Sequence, residues 1–308
     1  MIIKKLLRYI LDRLFLRKFD DIKIQKGQLF EKYLDSNLNN INQLEQSFFK
    51  VFSQDNEDGV IQYLLKSFNL DNIRFVEVGT QDYSESNTRY LFETKRCEGL
   101  IIDPFPNLEK KIEGFLRTWK NKLKIHNNFI NSENINEVLK KYSFEKNIDV
   151  FSIDIDGIDY WVLDALPPKI SKIFIIEYNP FFGPKKKISV PDIKNFERLK
   201  YDPTGFCWGA SLKALISLMD KKGYTFIGTN RMNVNSFFIL KELINKIKIK
   251  IPNENNLNKY TDAKISIIKS KGKVISSLSD IGDEIKDLDL FDFDKNKIVK
   301  FDQIKDEI

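Results

Sequence analysis

The sequence predicts an α/β protein with a Rossmann-like, doubly wound and mostly parallel seven-stranded sheet that has an antiparallel strand near its end. First, five short apolar runs alternate with helical patterns between residues 73 and 222, which is typical of a parallel sheet covered by helices. Second, the first run ends in an acidic residue, a glycine and a polar turn, as Glu77-Val78-Gly79-Thr80. Third, the last two apolar runs are separated only by a short turn, which predicts a hairpin and an antiparallel strand.

The elements follow in a regular order. Residues 2–18 have an amphipathic helical pattern, residues 20–50 are polar and predict helical or irregular structure, and residues 54–68 predict a helix. Strands are predicted at residues 73–79, 99–103, 123–128, 148–154, 172–178, 224–229 and 234–240. The helices between them are predicted at residues 85–95, 106–118, 133–142, 158–165 and 209–222. Connections of this kind are right-handed, so the order predicts helices on both faces of one sheet.

Length and composition are consistent with one large domain and two extensions. Of 308 residues, 42% are hydrophobic and 25 are Phe, which is enough for a substantial core. We expect an N-terminal helical segment over residues 1–50, the main domain over residues 51–242 and a small appendage over residues 243–308. Within the appendage, residues 264–279 could hold one or two strands. The segment 180–208 has no periodic pattern, and a loop of this length is usually functional or mobile.

Charge and cysteine content exclude several classes of protein. The net charge of +6 is a mild basic excess, so we expect no nucleic-acid partner. The two cysteines, Cys97 and Cys207, show neither a disulfide framework nor metal-ligand spacing. This usage fits the reducing conditions of the cytoplasm. No run of eighteen apolar residues is present, so we expect no membrane-spanning helix.

Residues 1–18 combine an apolar stripe with basic side chains. The basic residues are Lys4, Lys5, Arg8, Arg13, Arg17 and Lys18. A helix that lies on a membrane surface has this pattern, and so does a helix that packs on its own domain or on a partner. The segment has no signal-peptide cleavage site. The prediction is a cytoplasmic protein, with peripheral contact at the inner face of the membrane as an open alternative.

The ends of the first two predicted strands indicate a nucleoside site. Asp103 follows the second strand, 24 residues after Gly79, and a carboxylate there can accept hydrogen bonds from both ribose hydroxyls. The turn after Gly79 is not G-x-G-x-x-G, so the sequence gives little reason to expect a bound pyrophosphate. A ligand with an adenosine but no phosphates fits better, which indicates S-adenosylmethionine as the cofactor.

Polar residues near these strand ends are candidates for the rest of the cofactor site. Gly79 permits close approach of a ligand to the backbone. The side chains of Gln81, Asp82 and Asn87 can bind an amino-acid zwitterion, although each could instead cap the helix predicted at 85–95. Asn128 follows the third strand and could approach the edge of the adenine.

Acidic side chains cluster where the fourth and fifth predicted strands end. The cluster comprises Asp154, Asp156, Asp159 and Glu177, with Asn179 beside them. Adjacent strand tips at this edge of the sheet face the ligand crevice, so Asp154, Asp156 or Glu177 could deprotonate an acceptor hydroxyl. Alternatively, this set without Asp159 could hold Mg²⁺ or Mn²⁺, which would acidify that hydroxyl. A third interpretation is a turn at residues 156–157 and a helix cap at Asp159.

The 180–208 loop carries residues suited to a substrate. Lys185 begins a run of three lysines, and Trp208 ends the loop. Aromatic faces pack on sugar C–H surfaces and lysines attract phosphate or carboxylate groups. We therefore treat Asp159, Asn179, Lys185 and Trp208 as candidate substrate contacts. A run of lysines can equally be a solvated surface.

With these residues in place, the chain resembles the class I S-adenosylmethionine-dependent methyltransferases, most closely the FkbM-like proteins that are often encoded with surface-polysaccharide genes. The resemblance covers about residues 52–240. It rests on the segments 52–59, 75–79, 86–88, 101–104, 152–160 and 175–180, which read FSQDNEDG, FVEVG, SNT, IIDP, SIDIDGIDY and IIEYNP. The first turn departs from the family, because TQDYS at residues 80–84 stands where a second glycine is common.

The resemblance implies a function as well as a fold. It places Glu77 near the amino group of the cofactor's methionine part. It also implies O-methylation of a sugar or surface-glycan precursor, with a small molecule or glycan as the substrate. Two other classes stay open, because a fold does not fix a function. One is a non-catalytic Rossmann-like binding protein, and the other is a membrane-surface scaffold in glycan assembly that acts through residues 1–18.

Overall fold

The structure is a computed structural model that describes residues 2–116, 121–262, 267–268, 274–275 and 285–307. Side chains are described from Arg17 onward, except in the pairs 267–268 and 274–275. The helices are α1 (Ile2–Asn37), α2 (Glu57–Phe68), α3 (Arg89–Thr94), α4 (Leu108–Glu113), α5 (Ile135–Lys141), α6 (Asp159–Ala165), α7 (Arg198–Tyr201), α8 (Leu212–Lys221) and α9 (Asn258–Thr261). The strands of the main sheet are β1 (Ile73–Val78), β2 (Cys97–Ile102), β3 (Lys122–His126), β4 (Ile148–Ile153), β5 (Ser171–Glu177), β7 (Tyr224–Thr229) and β8 (Asn235–Leu240). Five short strands lie outside it: β6 (Ile188–Ser189), β9 (Ile267–Ile268), β10 (Val274–Ile275), β11 (Asp289–Asp292) and β12 (Lys297–Lys300).

The main sheet confirms the predicted fold class. Its seven strands run in the order β3-β2-β1-β4-β5-β8-β7. The first five pair in parallel, and β8 lies antiparallel between β5 and β7. The first strand, β1, lies in the middle of the sheet. Strands β2 and β3 are added on one side of β1, and β4 is then added on its other side. The order therefore reverses between β1 and β4, and ligands in such sheets bind at that point, beyond the carboxyl ends of the strands.

The central strands are apolar because helices cover both faces of the sheet. All six residues of β4 are buried, as are all six of β8, and burial on both faces produces near-continuous apolar runs. One face packs around Phe151 and Phe174, whose rings stack with centroids 5.0 Å apart. The other face packs around Phe75 and Phe92, whose rings meet edge to face. These two layers fix the sheet and leave its carboxyl edge free for a site.

Helix α2 begins three residues later than the predicted start at residue 54. The residues before it form a loop around the carboxylate of Asp58, which is 1% exposed. Its Oδ2 accepts hydrogen bonds from the backbone N–H groups of Val51, Phe52 and Ser53 at 2.7–2.9 Å and from the Ser53 hydroxyl. Within the predicted helix, the Asp55 N–H donates to Glu57 Oε2 at 3.0 Å and Asn56 Oδ1 accepts from the Arg231 N–H at 2.9 Å, so these residues belong to the loop and not to the helix.

Helix α1 is 36 residues long and extends well beyond the predicted range 2–18. Its second half packs on the domain through buried Leu34 and through ion pairs of Asp20 with Arg89 and of Asp35 with Lys66. Glu31 adds hydrogen bonds to the Tyr90 hydroxyl and to Lys95. The side chains of residues 1–16, on which the membrane-surface interpretation depends, lie outside the described residues. In the described part of the chain, no helix combines the length and the apolar composition that are needed to cross a bilayer.

The C-terminal segment is joined to the segment 180–208. Strand β6, within that segment, pairs with β11, and β11 pairs with β12, forming a three-stranded sheet. Buried Leu290, Val299 and Phe301 belong to the same apolar cluster as the main domain. Of the predicted strands in 264–279, β9 and β10 form an antiparallel pair, and the rest of that range lies outside the described residues.

The Asp58 hydrogen bonds predict a large loss of stability on substitution. Asp58→Ala leaves three buried N–H groups without a partner, and each such group costs about 1–3 kcal/mol. We expect the free energy of unfolding, measured by urea denaturation, to fall by roughly 3 kcal/mol or more. Glu133→Ala is the matched control, because Glu133 is 70% exposed and forms only an ion pair with Lys194. Its effect should stay below about 1 kcal/mol. Equal effects of the two substitutions would show that the Asp58 bonds do not hold the loop.

Candidate active site

A cavity of about 530 Å³ opens at the carboxyl edge of the sheet. Residues that follow β1, β2, β3 and β4 line it, together with the last residue of β5. Nine of the residues singled out in the sequence lie on its wall: Gly79, Gln81, Asp82, Asp103, Asn128, Asp154, Asp156, Glu177 and Trp208. The topology explains this convergence, because parallel strands bring their carboxyl ends to one edge.

Asp103 connects the turns that follow β1 and β2. One carboxylate oxygen accepts a hydrogen bond from the Gln81 N–H at 2.7 Å, and the other accepts one from the Phe105 N–H at 2.7 Å. Burial raises the pKa of this carboxyl, and the backbone hydrogen bonds lower it in part. A carboxylate can accept about four hydrogen bonds, so Asp103 is held rigidly at the cavity wall and keeps capacity to accept a further one.

Gly79 is required for a reason other than ligand approach. Its φ is +83°, and a Cβ on it would lie 1.5 Å from the backbone oxygen of Asp154. The sequence interpretation assigned this glycine to close approach of a cofactor. The geometry shows that the neighbouring β4 backbone already excludes any side chain here. Gly79 lines the cavity as well, so the tight contact of β1 with β4 shapes the cavity floor.

Glu77 and Asn87 do not line the cavity. The Glu77 carboxylate accepts hydrogen bonds from the hydroxyls of Ser86 and Thr88 and from the N–H groups of Asn87 and Thr88. The Asn87 side chain donates to the Ser152 hydroxyl at 3.0 Å. Both side chains are buried and hold segment 86–88 against β1. The resemblance-based placement of Glu77 beside the cofactor's amino group, and of Asn87 in the cradle, therefore has no direct contact to support it.

The same network explains why α3 is shorter than the predicted helix at 85–95. The Ser86 N–H donates to the Phe52 backbone oxygen, and the Asn87 and Thr88 N–H groups donate to the Glu77 carboxylate, so this segment is held outside the helix. Gln81 and Tyr83, in the turn that lacks the second glycine, adopt positive φ values of 47° and 63°. Tyr83 is fully buried, and its hydroxyl bonds the Thr88 hydroxyl. The bulkier turn is accommodated by turning the Tyr83 ring into the core.

Asp154 and Glu177 form a pair of carboxyl groups at the tips of β4 and β5. They follow Ile153 and Ile176, which pair across the two strands, so the carboxyls are neighbours. Burial raises the pKa of both groups well above the usual value, and the negative charges of Asp156 and Asp159 raise both further. Among the described residues, the buried Oε2 atom of Glu177 has no hydrogen-bond partner. A pair with a shared proton can accept one proton and donate another, as acid–base chemistry requires.

Asp159 and Asn179 have structural roles in this geometry. The Asp159 carboxylate accepts hydrogen bonds from the N–H groups of Ile155 and Gly157 and so holds the turn after β4. The Asn179 amide donates to the backbone oxygens of Phe206 and Trp208 and accepts from the Phe181 N–H. Neither residue lines the cavity. Because backbone groups already satisfy their polar atoms, the geometry gives no support to the expectation that they contact substrate, which stays a prediction.

The metal alternative finds no support in the geometry. Among the described residues, no three His, Cys, Asp or Glu side chains come together in a way that could hold a metal ion. The side chain of Asn179, one of the four residues proposed for the metal, already forms hydrogen bonds with backbone groups of residues 181, 206 and 208. Asp156 is bonded to the guanidinium of Arg198. Only Asp154 and Glu177 of that set remain free to act on a ligand.

A basic and aromatic wall faces the acids. The Arg198 guanidinium lies 3.8 Å from the centroid of the Trp208 ring and also donates to the Gly205 backbone oxygen. Trp208 is almost fully buried, yet its indole N–H has no hydrogen-bond partner in the part of the chain that the structure describes. Phe196 packs over Gly157, where a Cβ would lie 2.4 Å from the ring. Sequence reasoning missed Arg198 and Phe196, and the Pro, Gly and aromatic content of their loop was the available signal.

The lysine run does not reach the cavity. Lys185 is exposed, Lys186 pairs with Asp292 and Glu307, and Lys187 pairs with Asp294 at 3.2 Å. These lysines thus hold the C-terminal segment instead of facing the crevice. Lys185 does not line the cavity, so the expectation that it contacts an anionic substrate gains no support from this placement and stays a prediction.

On the far side of the cavity, polar residues follow β3 and β1. The Asn128 side-chain oxygen accepts a hydrogen bond from the Phe129 N–H at 2.8 Å, and Phe129 is 46% exposed. Asp82 accepts hydrogen bonds from Ser84 and pairs with Lys111 at 3.4 Å, and both interactions lower its pKa. This end of the cavity therefore offers an aromatic face and amide groups, whereas the end at β4 and β5 offers carboxyl groups.

Comparisons with known proteins add a weak likeness of fold. No protein-family model matches the chain, and no curated protein matches it. Solved structures that align with it include the small RNA methyltransferase HEN1, with 10% identity and a TM-score of 0.36 over 63% of this chain and 26% of that one. The cyclopropane synthase MmaA2 from Mycobacterium tuberculosis aligns with 9% identity and a TM-score of 0.33 over 58% of this chain and 66% of that one. Human N-acetylserotonin methyltransferase in complex with SAM aligns with 9% identity and a TM-score of 0.32 over 71% of this chain and 55% of that one. The match spans about a quarter of HEN1, and likenesses this distant assign no activity to this chain. The fold assignment rests on the strand order of the sheet itself.

Proposed function

We propose that this protein is a class I S-adenosylmethionine-dependent methyltransferase that methylates an oxygen of a sugar or surface-glycan precursor. The observation that carries the proposal is Asp103, a rigid carboxylate with remaining acceptor capacity on the wall of a cavity at the switch point of the sheet. Bound there, S-adenosylmethionine would supply an activated methyl group. Everything else that the reaction requires must come from the side chains of this chain.

The order of the strand tips fits an extended adenosyl amino acid. Adjacent strands lie about 4.8 Å apart, so the tips of β3, β2, β1, β4 and β5 span roughly 19 Å. In this arrangement Asn128 and Phe129 would hold the adenine, and Asp103 would hold the ribose hydroxyls. The turn at Gln81 and Asp82 would hold the amino-acid end. The reacting methyl group would then lie towards Asp154.

The acceptor would meet the carboxyl pair. Methyl transfer is an in-line displacement, so the main requirement is alignment of donor and acceptor. Asp154 or Glu177, whichever is ionised, is placed to take the proton from an acceptor hydroxyl, while Trp208 and Phe196 offer faces on which a sugar ring can pack. Asp156 would act indirectly, by holding Arg198. The glycan assignment itself rests on the resemblance described above.

The first prediction from this proposal concerns cofactor affinity. Asp103→Ala removes a charged acceptor of two hydrogen bonds, which should cost about 1.5–3 kcal/mol. Binding of S-adenosylhomocysteine, measured by calorimetry, should therefore weaken roughly ten- to more than a hundredfold. Asp192→Ala is the control, because the exposed Asp192 side chain bonds only the Ser132 hydroxyl among the described residues. Unchanged affinity in Asp103→Ala would refute the ribose assignment. No binding by folded wild-type protein would favour the non-catalytic binding protein instead.

The second prediction concerns turnover. Asp154→Asn preserves the shape but removes a base, and loss of a general base typically lowers turnover about 10²–10⁴-fold. Turnover should be measured by mass spectrometry with isotope-labelled donor and a panel of nucleotide sugars and glycan extracts. Affinity for S-adenosylhomocysteine in the same variant should change far less than turnover. Turnover equal to wild type would move the proton transfer away from Asp154.

We also propose that α1 brings the cavity to an anionic membrane surface at the inner face of the membrane. Asp20 pairs with Arg89 at 2.6 Å, and Arg89 in turn donates to the backbone oxygen of Ser84, which lines the cavity. Residues before Asp20 therefore continue from a point close to the cavity mouth. Six basic residues in positions 1–18 stand against one acid, Asp12, and each basic residue near such a surface contributes about 1 kcal/mol.

Deletion of residues 1–18 tests this membrane contact. The anchors from Asp20 to Leu34 remain, so the melting temperature should change little, while co-sedimentation with vesicles that contain phosphatidylserine should fall to the level seen with purely zwitterionic vesicles. A stable truncated protein with unchanged vesicle binding would contradict the proposal. A large drop in melting temperature would instead show that the deleted residues pack on the domain.

A further inference from the structure

The cavity has a charge opposite to that of the chain as a whole. The protein has a net charge of +6. Among the described residues that line the cavity, however, six are acidic and only one, Arg198, is basic. The acids are Asp82, Glu85, Asp103, Asp154, Asp156 and Glu177. Low-dielectric walls focus the field of such groups into a cleft, so the question is which of these charges a ligand would meet uncompensated.

Four of the six acids are already compensated. Asp82 pairs with Lys111 at 3.4 Å and Glu85 pairs with Lys50 at 3.0 Å. Asp156 is bonded to Arg198, and Asp103 accepts two backbone N–H groups. These partners stabilise the charges at the mouth and along the β2 side of the cavity. Little net negative potential therefore remains in that region to attract a ligand.

Asp154 and Glu177 are the exception. They follow the paired residues Ile153 and Ile176, so the two carboxyls are neighbours. No ion pair joins either carboxyl to a described lysine or arginine side chain, although the charge of Arg198 lowers the pKa of Glu177 in part. Glu177 is 9% exposed, and its Oε2 has no hydrogen-bond partner among the described residues. The buried Glu177 and the half-buried Asp154 therefore carry a desolvation penalty that no contacting cation offsets. A cation in the cavity would relieve that penalty.

We propose that the Asp154–Glu177 pair is a cation subsite that recognises the positive sulfonium of the methyl donor, so that the cavity binds the charged donor more tightly than the neutral thioether product. The inference rests on the proposed function and assigns the charge selectivity of the same site. Because the strand order places this pair next to the turn at Gly79–Asp82, a sulfonium that lies between ribose and amino acid falls beside it.

The subsite also gives a direction to the reaction. Transfer forms the bond between methyl carbon and acceptor oxygen and breaks the bond between that carbon and sulfur. The bonding electron pair stays on sulfur, which becomes neutral, and the acceptor proton passes to the carboxyl pair. After transfer the pair has gained a proton and has lost its cation, so both changes weaken its hold on the product. Release of the thioether is thereby favoured over release of the donor.

The test compares three probes by calorimetry with the full chain. The probes are S-adenosylmethionine, S-adenosylhomocysteine and sinefungin, a donor analogue with a protonated amine at the sulfonium position. We expect both charged probes to bind at least about tenfold more tightly than the neutral thioether. Equal affinities for all three probes would overturn the inference while leaving the proposed function standing. No binding of any probe by folded protein would overturn the proposed function, and the inference with it.

Variants assign the selectivity to the pair. Glu177→Gln and Asp154→Asn, each isosteric with the native residue, should weaken both charged probes and bring the affinity ratio towards one. Glu85→Gln is the matched control, since Glu85 lines the same cavity but is neutralised by Lys50, and its ratio should stay at the wild-type value. Circular dichroism would reveal a folding defect in either variant, and the other variant would then still test the assignment. A wild-type ratio in both folded variants would contradict the assignment.

Discussion

The close contact between β1 and β4 is the constraint on which the site depends. The Gly79 N–H donates to the Ile102 backbone oxygen and the Asp154 N–H donates to the Val78 backbone oxygen, both at 2.9 Å. These bonds align the ends of β1, β2 and β4, and only a residue without a Cβ fits where the Asp154 oxygen approaches. Because the three ends are held together, the turn after β1, Asp103 and the Asp154 carboxyl share one cavity. The register of the sheet thus determines which residues meet in the site.

The fold was largely predictable because strands buried on both faces have a strong apolar signal. All seven strands of the main sheet lie within a few residues of their predicted positions, and the hairpin of β7 and β8 follows from their short turn.

Helix starts were less predictable. Glu57 and Asn56 form hydrogen bonds where α2 was predicted to begin, and Glu77 binds the Asn87 N–H before α3; no periodic pattern reveals where a single polar side chain will point. The pairing of β6 with β11 joins segments about a hundred residues apart, which local sequence patterns do not specify.

The site was predictable in outline and not in its detail. Residues at strand tips, such as Asp103, Asp154 and Glu177, could be placed because topology brings tips together. Whether a tip residue faces the cavity depends on which backbone groups it satisfies. Asp159 and Asn179 bind backbone in place of ligand. Arg198 comes from a segment without periodicity, and only the folded chain brings its guanidinium over Trp208. Which of the cavity acids lack a cationic partner was not predictable for the same reason, since it depends on which partners the folded chain brings to them.

The central claim is that this cavity holds an adenosyl amino acid across the tips of β3, β2, β1 and β4. The most direct measurement is a crystal structure of the protein with S-adenosylhomocysteine. The account predicts both ribose hydroxyls within about 3.2 Å of the Asp103 carboxylate oxygens, the adenine beside Asn128 and Phe129, and the sulfur on the Asp154 side of Gly79. A ligand bound elsewhere, or bound in the cavity with its ribose away from Asp103, would contradict the account.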